Sequence, residues 1–231
     1  MTLLLVSVTN AEEAHLAVEA GADLIDAKDP AAGALGALTP ATVAEIVAAV
    51  DGRATVTAVC GDHLRAETLL DSAEAMAATG VDMVKIGFVP DLADARVIRA
   101  AGRLLGTRTK LVAVLFADLV PDFGLVPVLA EAGFHGVMLD TSGKSAGLLS
   151  HLSTMRIFGF VSTARTCGLI SGLAGSVRIA DLPAVAGFGP DLVGMRGGVC
   201  RGGRRTSALD PDLVRMAAAR LRAMPCAAQA G

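Results

Sequence analysis

The sequence predicts an α/β fold closed into a single (β/α)8 barrel, and three observations carry that expectation. Short apolar runs alternate with helix-forming stretches eight times, at a spacing of about 25 to 30 residues per repeat, which favours a closed parallel barrel over an open sheet. Several helices end on the same kind of junction into a strand: Glu19-Ala20-Gly21-Ala22-Asp23, Ala78-Thr79-Gly80-Val81-Asp82 and Glu131-Ala132-Gly133-Phe134. Glycine there reads as a helix C-cap. Finally, 231 residues fit one such barrel, and no linker or shift in composition marks a second domain. A flavodoxin-like or Rossmann-type open sheet is the alternative, weakened because no Gly-x-Gly-x-x-Gly turn follows the first strand.

Taken in order, Leu3 to Val8 is a short apolar strand, and Asn10 caps a helix that ends at Gly21. The second strand runs from Leu24 to Lys28 and opens into a flexible, glycine-rich loop, Gly33-Ala34-Leu35-Gly36. Thr39 as N-cap, with Pro40 at the first helical position, begins a helix to Val50. Ala54 to Cys60 is the third strand and Glu67 to Ala78 its helix; Met83 to Phe88 is the fourth, with a helix from Pro90-Asp91 to Leu105. Leu111 to Phe116, a helix from Val126 to Ala132, and Gly136 to Asp140 repeat the phrase. One longer helix is expected from Gly147 through Arg165, then a strand from Leu169 to Leu173 and a helix from Ser176 to Ala186. Leu192 to Arg196 is the eighth strand, and Asp210-Pro211-Asp212 opens the last helix, to Ala223. Residues 1–224 read as the barrel and 225–231 as a disordered tail.

Composition narrows the functional classes. A net charge of −3, no basic blocks and 3% aromatic residues disfavour nucleic-acid binding. The longest uncharged stretch, Pro30 to Ala44, is rich in alanine and glycine and holds prolines at Pro30 and Pro40. It falls short of the roughly 18 apolar residues of a membrane span, so no membrane partner is expected. The N-terminus has no basic leader and reads as a strand. Four cysteines (Cys60, Cys167, Cys200, Cys226) without a Cys-x-x-Cys pair fit a reduced, cytoplasmic protein. The four histidines are scattered, so neither a metal nor a cofactor is expected. The expected assembly is a homo-oligomer.

The chemistry concentrates in a scarcity. The chain has sixteen arginines but only four lysines: Lys28, Lys85, Lys110 and Lys144. Lysine offers what arginine cannot, an amine that can lose its proton and act as nucleophile or base. Strand side chains alternate between the helices and the barrel axis. With Ile25 and Ala27 facing out, Asp26 and Lys28 face in; Val84, Ile86 and Phe88 turn Lys85 in; Val137 and Leu139 leave Asp140 inward, with Lys144 in the loop behind it. Active sites of such barrels lie at the C-terminal ends of the strands, so three lysines and two carboxylates converge on one mouth. Lys110 precedes the fifth strand, at the opposite end of the barrel, and reads as structural. The plain alternative is an ion-pair network, Lys85 with Asp26 or Asp140, that holds the barrel together. Clustered amines also lower one another's proton affinity, the condition for a neutral amine.

The second half adds an anion site. Gly172, Gly175 and Ser176 follow the seventh strand, with Ser176 starting a helix, and Arg196-Gly197-Gly198 follows the eighth. In barrels these two loops commonly bind phosphate through backbone N–H groups. Arg201, Arg204 and Arg205 either attract a phosphorylated substrate or belong to a solvated loop.

Three motifs, Lys28-Asp29-Pro30-x-x-Gly33-x-Leu35-Gly36, Val84-Lys85-Ile86-Gly87 and Leu139-Asp140-Thr141-x-x-Lys144, resemble those of the (5-formylfuran-3-yl)methyl phosphate synthase family. That family is also called 4-(hydroxymethyl)-2-furancarboxaldehyde-phosphate synthase. The resemblance runs from Leu3 through the eighth strand and implies a (β/α)8 TIM barrel. It also implies condensation of two glyceraldehyde 3-phosphate molecules into a phosphorylated furan aldehyde, with loss of phosphate and water. The product would feed biosynthesis of methanofuran-type one-carbon carriers. By that resemblance Lys28 matches the Schiff-base lysine, Lys85 the proton acceptor, and Asp140 and Lys144 further active-site positions. Another imine-forming barrel aldolase, or a carrier holding pyridoxal phosphate on Lys28 without turnover, are the rival readings.

Overall fold

The computed structural model describes residues 1–63, 65–104, 109–143 and 146–224. Eight parallel strands close into a barrel in sequence order: β1 Leu3–Val8, β2 Leu24–Ala27, β3 Thr55–Val59, β4 Met83–Phe88, β5 Lys110–Phe116, β6 Gly136–Asp140, β7 Ile170–Leu173 and β8 Leu192–Met195. The barrel closes where Leu3 to Val6 of β1 pair with Leu192 to Met195 of β8. Around it lie α1 Ala11–Glu19, α2 Pro40–Val50, α3 Ala66–Ala77, α4 Ala95–Leu104, α5 Leu125–Glu131, α6 Leu148–His151, α7 Thr154–Thr166, α8 Leu182–Ala186 and α9 Pro211–Arg222. Among the described residues no helix is long and apolar enough to cross a membrane. Lys144, the helix end at Leu105 and the tail expected at 225–231 lie outside the described residues.

Strand alternation sorts the apolar residues into two layers. Leu4, Val6, Ile25, Ala27, Val84, Ile86, Phe88, Val137 and Leu139 pack outward in the main core with the helices. Leu5, Leu24, Met83, Val112, Val114, Met138 and Leu192 fill the interior. Each large side chain so buried contributes about 1.5–3 kcal/mol relative to exposure. Along the inner face the sequence changes character from bottom to top: Leu5 is followed by Ser7, Leu24 by Asp26, Met83 by Lys85, and Met138 by Asp140. An apolar floor thus carries a charged mouth.

Two helices differ from the sequence expectation. The stretch from Gly147 to Arg165 is broken at Leu152-Ser153, where Ser153 adopts an extended backbone and its hydroxyl accepts a bond from Arg156 N at 3.4 Å. Ser153 is a new N-cap, and the single helix becomes α6 and α7. The helix after β7 does not begin at Ser176, which has a left-handed φ of 52°. A 3-10 turn over Ile179–Asp181 leads instead into α8.

The loop after β2, expected to be flexible, is fastened over the mouth. Leu35 N donates to both carboxylate oxygens of Asp62 at 3.2 Å, and Asp29 N donates to Gly36 O at 2.8 Å. Ala34 and Leu35 are buried with Phe116 and Val59 in the inner cluster. Leu35 needs the glycine of Val84-Lys85-Ile86-Gly87, because a Cβ on Gly87 would lie 2.3 Å from Leu35 Cδ1. Gly36 is required by close approach as well, since its Cβ would lie 2.3 Å from Asp29 O. Two of the lysine motifs therefore fit together through packing and also share the charged mouth.

Candidate active site

The site follows from strand register. Asp26 lies opposite Ser7 on β1 and Thr57 on β3, all three facing the barrel axis. Ser7 Oγ donates to Asp26 Oδ2 at 2.9 Å and Thr57 Oγ1 to Oδ1 at 2.8 Å. Lys85 Nζ, from β4, approaches Oδ1 at 2.7 Å, with 5% of the lysine side chain and 1% of the aspartate exposed. Burial by itself would raise the Asp26 carboxyl. The Lys85 and Lys28 cations and the bonds from Lys85 and Thr57 outweigh it, and hold Asp26 below its ordinary value of 3.8. For Lys85 burial dominates and pushes the amine below its ordinary 10.5; Asp26 opposes that shift and Lys28 adds to it.

The second pair is looser. Lys28 Nζ lies 3.4 Å from Asp140 Oδ2, with side chains 10% and 11% exposed. Asp140 Oδ1 accepts a bond from Thr141 N at 2.7 Å. The sequence-based placement of Asp26, Lys28, Lys85 and Asp140 on one inner face therefore agrees with the structure. All four line one cavity of ≈ 610 Å³ at the C-terminal mouth. The loop that leads to Lys144 is anchored by Asp118, which accepts from Ser142 N at 2.8 Å, Ser142 Oγ at 2.7 Å and Gly143 N at 2.6 Å. Sequence reasoning missed Asp118, although a carboxylate just past the fifth strand was a visible signal. Lys110, at the start of β5, is exposed and takes no part in the mouth.

Gly175, Ser176, Gly197 and Gly198 line the same cavity. Among the described residues no hydrogen bond uses the N–H groups of Gly175, Ser176, Val177, Gly197 or Gly198. The loops touch at Gly198, where a Cβ would lie 2.4 Å from Val177 O. Gly175 has φ 105°, a conformation that favours glycine. Gly172 is corrected: it lies within β7 and does not line the cavity, and a Cβ there would meet Met138 Cγ at 2.5 Å and Leu192 Cδ1 at 2.7 Å. Its absent side chain leaves room for the packing of the barrel floor. Ser176 lines the cavity from a bend and not from a helix start. Arg204 and Arg205 also line the cavity, whereas Arg201 does not.

The eight-stranded parallel barrel, with paired lysines and carboxylates at its mouth, has a TIM-barrel, aldolase-like fold. The sequence model described as 4-HFC-P synthase matches residues 4–218. The chain is 38% identical over 226 residues to the (5-formylfuran-3-yl)methyl phosphate synthase of Methanopyrus kandleri, covering 92% of this chain and 95% of that protein. It is 33% identical over 226 residues to the same-named enzyme of Methanosarcina barkeri, covering 91% and 95%. A Methylorubrum extorquens protein to which that activity is provisionally assigned by name is 48% identical over 224 residues, covering 96% and 92%. The chain belongs to the 4-HFC-P synthase family. Solved barrels resemble it in fold alone: phosphoribosyl anthranilate isomerase from Thermus thermophilus (TM-score 0.68, 17% identity, 97% and 100% covered) and a 3-hexulose-6-phosphate synthase (TM-score 0.62, 17% identity, 94% and 99% covered).

Proposed function

We propose that this enzyme condenses two molecules of glyceraldehyde 3-phosphate into 4-(hydroxymethyl)-2-furancarboxaldehyde phosphate through an imine on Lys28. Family membership supports the product. The observation that carries the mechanism is the contrast between two lysines on one cavity. Lys85 is tightly paired at 2.7 Å and fixed in a strand, whereas Lys28 is held by Asp140 only at 3.4 Å. A nucleophile must leave its partner to meet a carbonyl, and a proton acceptor must keep its direction. Lys28 suits the first task and Lys85 the second.

The Lys28 amine adds to the aldehyde of one triose phosphate and expels water. The imine then acts as an electron sink while Lys85 removes the proton from the adjacent carbon. Phosphate then leaves C3, and the resulting enol of the imine, nucleophilic at C3, attacks the C2 carbonyl of the second triose phosphate in its ketone form, an isomer reached by moving a proton from C2 to C1, which forms the carbon–carbon bond. Hydrolysis of the imine restores the aldehyde, the C1 hydroxyl of the second triose closes the ring on C2 of the first, and loss of two waters gives the furan. Overall, one phosphate and two waters leave, and the other phosphate stays on the hydroxymethyl arm. Asp140 and Lys144 shuttle protons or hold a phosphate, and the amides of Gly175–Val177 and Gly197–Gly198 cradle one. A product serving methanofuran-type carriers fits this reading.

Incubation with glyceraldehyde 3-phosphate is the test. The expected result is a furan chromophore and one equivalent of free phosphate per two substrates consumed; retro-aldol products without a furan would defeat the reading. The cradle makes its own prediction. Gly198→Ala must push Val177 away and separate the two loops. Losing one hydrogen bond to a charged oxygen, worth about 1.5–3 kcal/mol, is expected to weaken inorganic phosphate binding roughly ten- to hundredfold. Calorimetric titration checks this, and unaltered affinity in a folded variant would place the phosphate elsewhere.

A further inference from the structure

The geometry points to Glu13 and Arg196 as positioning residues that give the site its preference for a phosphorylated substrate, by fixing the loop that presents the amides of Gly197 and Gly198. This rests on the reading of that loop as a phosphate cradle. Arg196 follows β8 directly, and its guanidinium grips Glu13 as a fork: NH1 to Oε2 at 2.6 Å and NH2 to Oε1 at 3.1 Å. Both side chains are close to fully buried, 11% and 10% exposed. The remaining donors are spent on main-chain carbonyls: Nε on Arg205 O at 2.9 Å, NH1 on Ser7 O at 3.0 Å and NH2 on Ser207 O at 3.1 Å. All five N–H groups of the arginine thus have acceptors within the chain. Arg196 borders the cavity, yet it has no donor left for a substrate.

Glu13 completes the fastening. Its Oε2 also accepts from Thr9 N and Thr9 Oγ1, both at 2.9 Å, and its Oε1 from Leu209 N at 3.0 Å. One buried ion pair therefore holds the segment behind β8 at its start, at Arg205 and Ser207, and at its end. The same segment carries Gly197, Gly198, Arg204 and Arg205 into the cavity. Arg205 packs against the cradle, since a Cβ on Gly197 would lie 3.6 Å from Arg205 N. A lysine at 196 has three donors where five are used, so it cannot replace the fork. Because the two charges satisfy each other, the pair sets loop shape without adding net charge to the cavity.

The test compares wild type with Glu13→Gln and Arg196→Lys by steady-state kinetics, calorimetric binding of inorganic phosphate and borohydride trapping of unphosphorylated glyceraldehyde. For both variants KM for glyceraldehyde 3-phosphate and Kd for inorganic phosphate are expected to rise together by roughly tenfold or more, while kcat stays within about threefold. In Glu13→Gln, trapping of unphosphorylated glyceraldehyde on Lys28 is expected to match wild type. A lowered Tm with unchanged phosphate affinity would make the pair merely structural, and a fall in kcat at constant KM would move its action to the chemistry; either overturns the inference. Thr9→Val, which removes one of the donors to Glu13, covers the case in which neither variant folds: a smaller shift in the same direction supports the inference, and none opposes it. If wild type itself binds no inorganic phosphate, the cradle reading fails before any variant is compared.

Discussion

Arginine in place of Lys28 is expected to end turnover. The substitution keeps a cation beside Asp140, so the ion pair at 3.4 Å has a replacement and the barrel should fold. What it removes is an amine able to lose a proton and form a carbon–nitrogen double bond. No covalent route remains, and the expected loss is on the order of a millionfold, the scale found when a covalent nucleophile is removed. Furan formation and phosphate release, followed together, check it. Residual activity within a hundredfold of wild type in Lys28→Arg would place the imine on another lysine.

Lys85→Arg is expected to cut kcat roughly a hundredfold to ten-thousandfold, the usual worth of general base catalysis, while Lys28 can still be trapped by substrate and borohydride. The pH profile gives an independent check. Lys85 must be neutral to accept a proton, so the rate rises with pH and levels off above its pKa. Burial holds that pKa below 10.5, so the break in kcat/KM is expected below that value and should vanish in Lys85→Arg. Asp26 opposes the shift by favouring the charged amine. Removing that charge with Asp26→Asn is therefore expected to move the break to lower pH. A break that stays in place in Asp26→Asn would mean that another group titrates.

The barrel and the four charged residues at its mouth were legible because both rest on local pattern. Eight strand–helix repeats predicted the closed sheet, and alternation within Leu24 to Lys28, Met83 to Phe88 and Gly136 to Asp140 set which side chains face the axis. Ser7 and Thr57, which hold Asp26, were visible as polar residues in apolar strands, but their partnership depends on register between strands. The pairing of Glu13 with Arg196 was beyond pattern altogether. Glu13 is one of two acids in the first turn of α1, and its partner lies 183 residues away. Glycine misled in both directions. Gly172 packs the barrel floor where a phosphate contact was expected, and Gly33 to Gly36 form a tied cover where a flexible loop was expected, because only tertiary contact distinguishes a glycine needed for space from one needed for motion.

The proposed mechanism makes Lys28 the covalent residue, and peptide mapping by mass spectrometry after borohydride reduction in the presence of glyceraldehyde 3-phosphate tests that most directly. The expected result is a single reduced triose-phosphate adduct on the peptide containing Lys28, retained in Lys85→Arg and absent from Lys28→Arg. An adduct on Lys85 or Lys144, or one that persists in Lys28→Arg, would contradict it.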